Sequence, residues 1–373
     1  MSRVAHVWPH PPTRVGEMQE VSAEVEWPWR VSQWLRKDRR QRLWIRVPGD
    51  VPIPEVAVGD AFLLGTVFGA MHMARDLVVH AKVSEGLPER VAKLGPLWRE
   101  RRRDRYREIG VAADATAPGA GRDGPSLLCF SGGLDSAYSL KKNSDPARPA
   151  HLPRLYAALM IHGADIPVGE SGAFGIAHAR CERIAASRGV QLVRASTNLR
   201  EVRQDWSHSS MATLAAVMGL FRVRCARGLV AVGFTTEEGL RYQPQDVVDP
   251  PLLSSDAFPV VGDGYEADRF QKLVAISDWP EALLELRVCN KPGSWAGNCG
   301  ECIKCRALGF FAEIVLGAGI PCLPRRMTVE DARAMVRSDD PRVYLGLAQI
   351  VRHARTRGFH ADWLSVFERA IAK

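Results

Sequence analysis

The chain has 373 residues, of which 46% are hydrophobic and 25% charged, with eight cysteines and a formal net charge of +8. That length has room for two domains, or one large domain with extensions, and can bury an ample core without disulfide staples. The composition is that of an ordinary soluble globular protein. The longest apolar stretch, around residues 61–74, holds His72 and is too short to span a bilayer. Residues 1–6 lack the continuous apolar core of a signal peptide, so a cytoplasmic protein without a membrane partner is expected.

Residues 1–110 carry no legible motif. Alternating runs at 21–26 and 42–47, and a short β-like run at 77–80, predict strands. Helical patterns follow at 88–94 and, after Gly95, at 96–109. The expectation is a small β-rich N-terminal domain ending in a basic helix. Arg99, Arg101, Arg102, Arg103, Arg105 and Arg107 crowd that helix. Such a run either grips phosphates, with nucleic acid as the partner, or forms a solvated helix face; Glu100, Asp104 and Glu108 favour the second.

Residues 111–125, rich in Ala, Gly and Pro, read as a flexible linker and the best domain boundary in the chain. Directly after it, the apolar run Leu127-Leu128-Cys129-Phe130 enters Ser131-Gly132-Gly133-Leu134-Asp135-Ser136. This predicts a buried strand, a tight turn and the first turn of a helix. Glycines let the backbone approach a ligand, and a helix start offers unpaired N–H groups and the positive end of its dipole. Those parts make a phosphate cradle. It is neither G-x-x-x-x-G-K-[ST] nor G-x-G-x-x-G.

Strands and helices then alternate, the signature of an α/β fold with a parallel sheet. Strands are predicted at 155–162, 190–193 and 229–234, with helices at 173–188 and 211–226. Ligands of such sheets sit beyond the carboxyl ends of the strands. The candidate nucleotide contacts are therefore residues 131–136, His162 and Gly163 to Asp165, Thr197 to Arg200, and Gly233 to Thr236. Trp206, His208, Asp246, Asp249 and Asp263 are further polar candidates between 200 and 265.

The second signal is Cys289-x9-Cys299-x2-Cys302-x2-Cys305. Four thiolates at this spacing suit a closed tetrahedral zinc site, with an iron–sulfur cluster or unligated thiols as alternatives. Cys129, Cys181, Cys225 and Cys322 read as small core residues. Residues 324–373 form a helical tail by pattern, with helices at 329–336, 341–355 and 360–372.

The loop Ser131-Gly132-Gly133-Leu134-Asp135-Ser136 resembles the S-G-G-x-D-S loop of the PP-loop ATP pyrophosphatases. With the later cysteine pattern, roughly residues 126–320, within an expected domain of residues 126–323, are similar to the 7-cyano-7-deazaguanine synthases, a Rossmann-like fold of the adenine nucleotide alpha hydrolase type with a zinc knuckle. The resemblance implies ATP, Mg²⁺ and Zn²⁺ as cofactors. It implies cleavage of ATP to AMP and pyrophosphate, and activation of a 7-deazaguanine carboxylate for attack by a nitrogen nucleophile. Lys272 stands where that family places a lysine before the knuckle, implying a contact to the ATP phosphates. Asp135 and Ser136 are then candidates to hold Mg²⁺ or a phosphate oxygen, although Asp135 can equally cap its helix. The N-terminal 110 residues and the tail depart from the typical synthase. Such enlarged relatives also resemble proteins of anti-phage systems, in which the deazaguanine group is attached to a protein partner. A tRNA-modifying enzyme and a non-catalytic ATP-sensing subunit are the remaining readings.

Overall fold

In β1 (Val4–Val15), β2 (Met18–Glu26), β3 (Arg40–Pro48) and β4 (Asp76–Ser84) the buried apolar residues come every second position, as in Val21, Ala23, Val25 and Leu43, Ile45, Val47. Side chains alternate across a strand, so each presents one apolar face to the same side. That face is covered by α1 (Glu55–Met73), with Phe62 and Phe68 among its buried side chains. The sequence suggests no helix here, because α1 is apolar all round and shows no stripe. By length and composition it could cross a membrane, yet 89% of its apolar window is buried within the structure, the position of a core helix.

The computed structural model describes residues 4–28, 40–149, 153–202, 204–289 and 291–372. The first three residues used to judge a leader lie outside them. After α2 (Leu87–Ala92), α3 (Leu94–Arg101) stops at Arg101, eight residues short of the expected end of the basic helix. The expected linker is also corrected. Residues 111–117 form β5 (Val111–Ala117), parallel to β4 from Leu77↔Val111 to Ser84↔Ala117. Its alanines carry little strand signal of their own, so pairing decides its conformation.

The second half alternates as expected through β6 (Ser126–Cys129), α4 (Leu134–Ser144), β7 (Leu155–His162), α5 (Ser171–Ala186), β8 (Leu192–Thr197), α6 (Trp206–Gly219) and β9 (Arg227–Ala231). Next come α7 (Thr236–Tyr242), α8 (Gln245–Leu252), β10 (Val260–Asp263), α9 (Arg269–Ile276), α10 (Pro280–Glu285) and α11 (Ile303–Leu316). The predicted tail is present as α12 (Val329–Met335), α13 (Pro341–Thr356) and α14 (Leu364–Ile371). It packs through Phe310, Trp363 and Phe367, and through His353 and Arg352, which hold the Asp268 cap of α9.

Among the described residues ten strands form one sheet, in the order β10-β9-β6-β7-β8-β3-β2-β1-β4-β5. From β10 to β8 it is parallel; β8 then pairs antiparallel with β3 through Ile45↔Thr197 and Arg46↔Ser196. The β-rich N-terminal region is thus the far half of one continuous sheet and shares a core that runs from Ala5 to Val260. A buried ion pair between Asp60 of α1 and Arg222, joined by Ser84, ties the two halves together. From β6 the chain winds one way through β7 and β8, then returns to β9 on the other side of β6. The crevice between β6 and β9 is therefore a topological switch point, where α/β sheets bind ligands.

Candidate functional site

At that switch point β6 ends and Gly132 turns the chain with φ +75°, a conformation that excludes most side chains. A Cβ there would also lie 2.7 Å from the Cys181 sulfur. Gly133 starts α4 without a side-chain cap. Ser136 Oγ donates to the Gly133 carbonyl at 3.0 Å and lies 3.5 Å from Ser131 Oγ. The first-turn N–H groups of α4 thus keep the positive end of the dipole free for an anion. They border a cleft of about 370 Å³ whose lining includes Ser131, Gly133, Leu134, Asp135, Ser136 and Gly233.

Three cations gather around this loop. Lys272 of α9 is completely buried, donates to the Val232 carbonyl, and lies 3.5 Å from Asp135 Oδ1. Burial pulls its ammonium below the usual lysine range, opposed by Asp135. Arg269, one helical turn earlier, reaches Asp135 Oδ2 at 3.6 Å and lies over the Phe234 ring. Asp135 therefore faces two cations instead of capping α4. Arg287, 4% exposed, approaches from the segment before the cysteines. Its backbone N–H donates to Gly132 O at 2.8 Å and its Nη2 to Ser131 O at 3.3 Å.

Other expected residues lie elsewhere. His162 stacks on Phe174 and bonds to the Pro167 carbonyl, and burial lowers its pKa. Gly163 has φ +96°, and a Cβ there would strike the Thr197 carbonyl, so it serves the turn. Thr197 is fully buried and donates to the Trp44 carbonyl at 2.7 Å. Arg200 donates to the carbonyls of Ala164 and Asp165 and lies over Trp206. None of these four lines the cleft, and neither does the buried Lys272, whereas Trp206, Asp165 and Asp246 do. Burial raises the Asp246 pKa. His208 and Asp249 belong to a packed cluster with Trp98, Tyr106 and Arg101, and Asp263 pairs with Lys142. The arginine run is largely committed: Arg99 to Glu108, Arg101 to Asp249, Arg102 to Asp104 and Arg105 to Asp205.

Beside the cleft the ligand atoms of Cys289, Cys299, Cys302 and Cys305 all lie within 4.8 Å of one another. The separations Cys302–Cys305, Cys302–Cys289 and Cys299–Cys305 are 3.5, 3.8 and 4.0 Å. A tetrahedron with metal–sulfur bonds of about 2.3 Å has edges of about 3.8 Å, close to these three separations, so the set could hold a metal ion such as zinc. Backbone N–H groups of Lys291, Glu301 and Cys302 point at the Cys289 and Cys299 sulfurs at 3.3–3.5 Å. Those donors would stabilise thiolates and orient them. Hydrogen bonding from Cys305 pulls the Cys302 thiol well below the usual cysteine range. The helix leaving the knuckle, α11, supplies Lys304, Ala307, Leu308 and Phe311 to the cleft wall.

No protein-family model, curated protein or solved structure matches the chain.

Sequence reasoning missed Arg269, Arg287 and Lys304. Arg269 was findable, because it precedes Lys272 by three residues and so shares its helix face. Arg287 had no such signal: its approach to the loop joins residues 156 positions apart.

Proposed function

We propose that the chain is an ATP-dependent adenylating enzyme that splits ATP between the α and β phosphorus atoms. It activates the carboxylate of a 7-deazaguanine-type acid for attack by a nitrogen nucleophile. The observation that carries the reading is the uncapped start of α4 at the switch point, with Arg269 and Arg287 on the cleft wall and Lys272 buried behind Asp135. A polyphosphate is the ligand whose charge fits this ring of donors. N–H groups and cations fixed in a partly enclosed cleft favour charge that builds up on a departing pyrophosphate. Mg²⁺ would neutralise the remaining phosphate charge, with the Asp135 carboxylate, which lines the cleft, as its protein ligand. Zinc in the knuckle would be four-coordinate and closed, a support for the wall and not a reagent.

The specific acid comes from the pairing of S-G-G-x-D-S with the cysteine spacing. The cleft suits a flat, polar acceptor: Trp206 offers a ring, and Gln243 and Asp246 offer hydrogen-bonding groups. The tRNA-modifying reading has less support, since four of the six arginines that would grip RNA are engaged with carboxylates. Incubation with ATP, Mg²⁺, 7-carboxy-7-deazaguanine and an amine donor should release AMP and pyrophosphate. Mass spectrometry separates a nitrile, an amide and a protein adduct. Absence of AMP would overturn the proposal, and AMP formation would dispose of a passive ATP sensor.

A further inference from the structure

Two sites described separately above are joined by one side chain. Arg287 lies two residues before the first cysteine of the knuckle, and its Nη1 donates to the Cys289 carbonyl at 3.1 Å. The other end of the same guanidinium donates to Ser131 O, and its backbone N–H holds Gly132 O. The two carbonyls that shape the phosphate loop are therefore fixed from the segment that carries a metal ligand. That segment is itself stapled. Asn298, next to Cys299, accepts from the N–H groups of Val288 and Cys289 and donates to the Leu286 and Cys322 carbonyls.

An arginine that only tethered two loops would have its donors satisfied. This one does not. Arg287 Nε is buried and, among the described residues, has no hydrogen-bond partner. Among the described residues its charge meets one carboxylate, the half-exposed Asp165, at 3.8 Å. Arg287 also lines the cleft. A buried, under-compensated cation between the phosphate loop and the knuckle favours an anion in the cleft, and it does so from a position that the knuckle sets.

We infer that Arg287 is a positioning residue that couples metal occupancy of the four cysteines to nucleotide affinity at residues 131–136. The inference rests on the reading of the cleft as a nucleotide site. With the metal bound, Cys289 is pinned, and with it the Arg287 backbone and guanidinium. Without it, the segment relaxes and the two loop carbonyls lose their donors. Coupling between two ligands is reciprocal: the metal raises nucleotide affinity by the same factor as nucleotide raises metal affinity.

That reciprocity gives a test on the unaltered protein. Zinc affinity is measured by chelator competition with and without α,β-methylene ATP, and binding of the same analogue is measured by calorimetry on zinc-loaded and zinc-stripped protein. The expected result is about a tenfold shift in each, equal within error. Arg287→Met should abolish the shift and Arg287→Lys, which cannot serve both carbonyls at once, should recover only part of it. Analogue binding with zinc affinity unchanged overturns the coupling and leaves the nucleotide site standing. No analogue binding to zinc-loaded protein overturns the site and the coupling together. An undiminished shift in Arg287→Met removes this residue from the link.

Discussion

Replacing Lys272 by methionine separates a functional lysine from a structural one. Lys272 is wholly buried with its ammonium 3.5 Å from Asp135 Oδ1. At an effective dielectric of about 20, that attraction is worth roughly 4–5 kcal/mol. Desolvating the ammonium costs several kcal/mol, so the two nearly cancel. Asp135 in the variant keeps Arg269 at 3.6 Å and some solvent, and methionine fills a similar volume, but the Val232 carbonyl loses its donor at a cost of about 1–3 kcal/mol. The unliganded variant should therefore stay within about 2 kcal/mol of the parent. At about 2.1 cal/mol/K per residue, a chain of this length has an unfolding entropy near 0.8 kcal/mol/K, so Tm shifts by at most about 3 °C. Nucleotide affinity behaves oppositely. Losing one charge-assisted hydrogen bond to a phosphate costs about 1.5–3 kcal/mol, or roughly 10- to 150-fold in Kd. Calorimetric melting and ATP titration read the two effects. A variant that melts several degrees lower and still binds ATP normally would refute the reasoning.

Other positions give sharper local tests. Gly132→Ala forces a side chain into φ +75° and within 2.7 Å of Cys181 Sγ, so ATP binding should fall at least tenfold with Tm lowered by a few degrees; unchanged binding argues against a shaped cradle. Cys299→Ser, or stripping with a chelator, should remove one zinc per chain and expose the segment around residues 286–323 to proteolysis; a stable, zinc-free protein with the parent's cleavage pattern would sink the structural role. Burial holds the Asp249 carboxyl up to about 7 against the opposing pull of Arg101 and Trp98. A raised carboxyl favours the fold while protonated, so its contribution is intact below about pH 4 and lost as pH climbs through 7. Asp249→Asn should accordingly melt near the parent at pH 4 and above it at pH 8; a gap that narrows with rising pH contradicts this.

The loop and the knuckle were legible because each is a short run whose chemistry needs neighbours in sequence. The switch-point crevice followed from alternating strands and helices. Its fourth wall did not. Residues 197–200 follow a strand end, but β8 is flanked by β3, and Thr197 spends its hydroxyl on the Trp44 carbonyl. A rule about strand ends says where a residue sits along the sheet and not which neighbour covers it. The helix α1 and strand β5 escaped for related reasons: one has no polar face, and the other has no strong β-formers. Arg287 belongs to a third kind, a contact set entirely by tertiary packing.

The seam between β3 and β8 bears on how this protein can be cut. Residues 4–117 are not a detachable module, since removing them would bare the β8 edge and the face of α6 that α1 shields. An unpaired strand beside uncovered apolar side chains invites self-association. A fragment beginning at residue 126 should be insoluble, and deletion studies would mistake that collapse for loss of a recognition element.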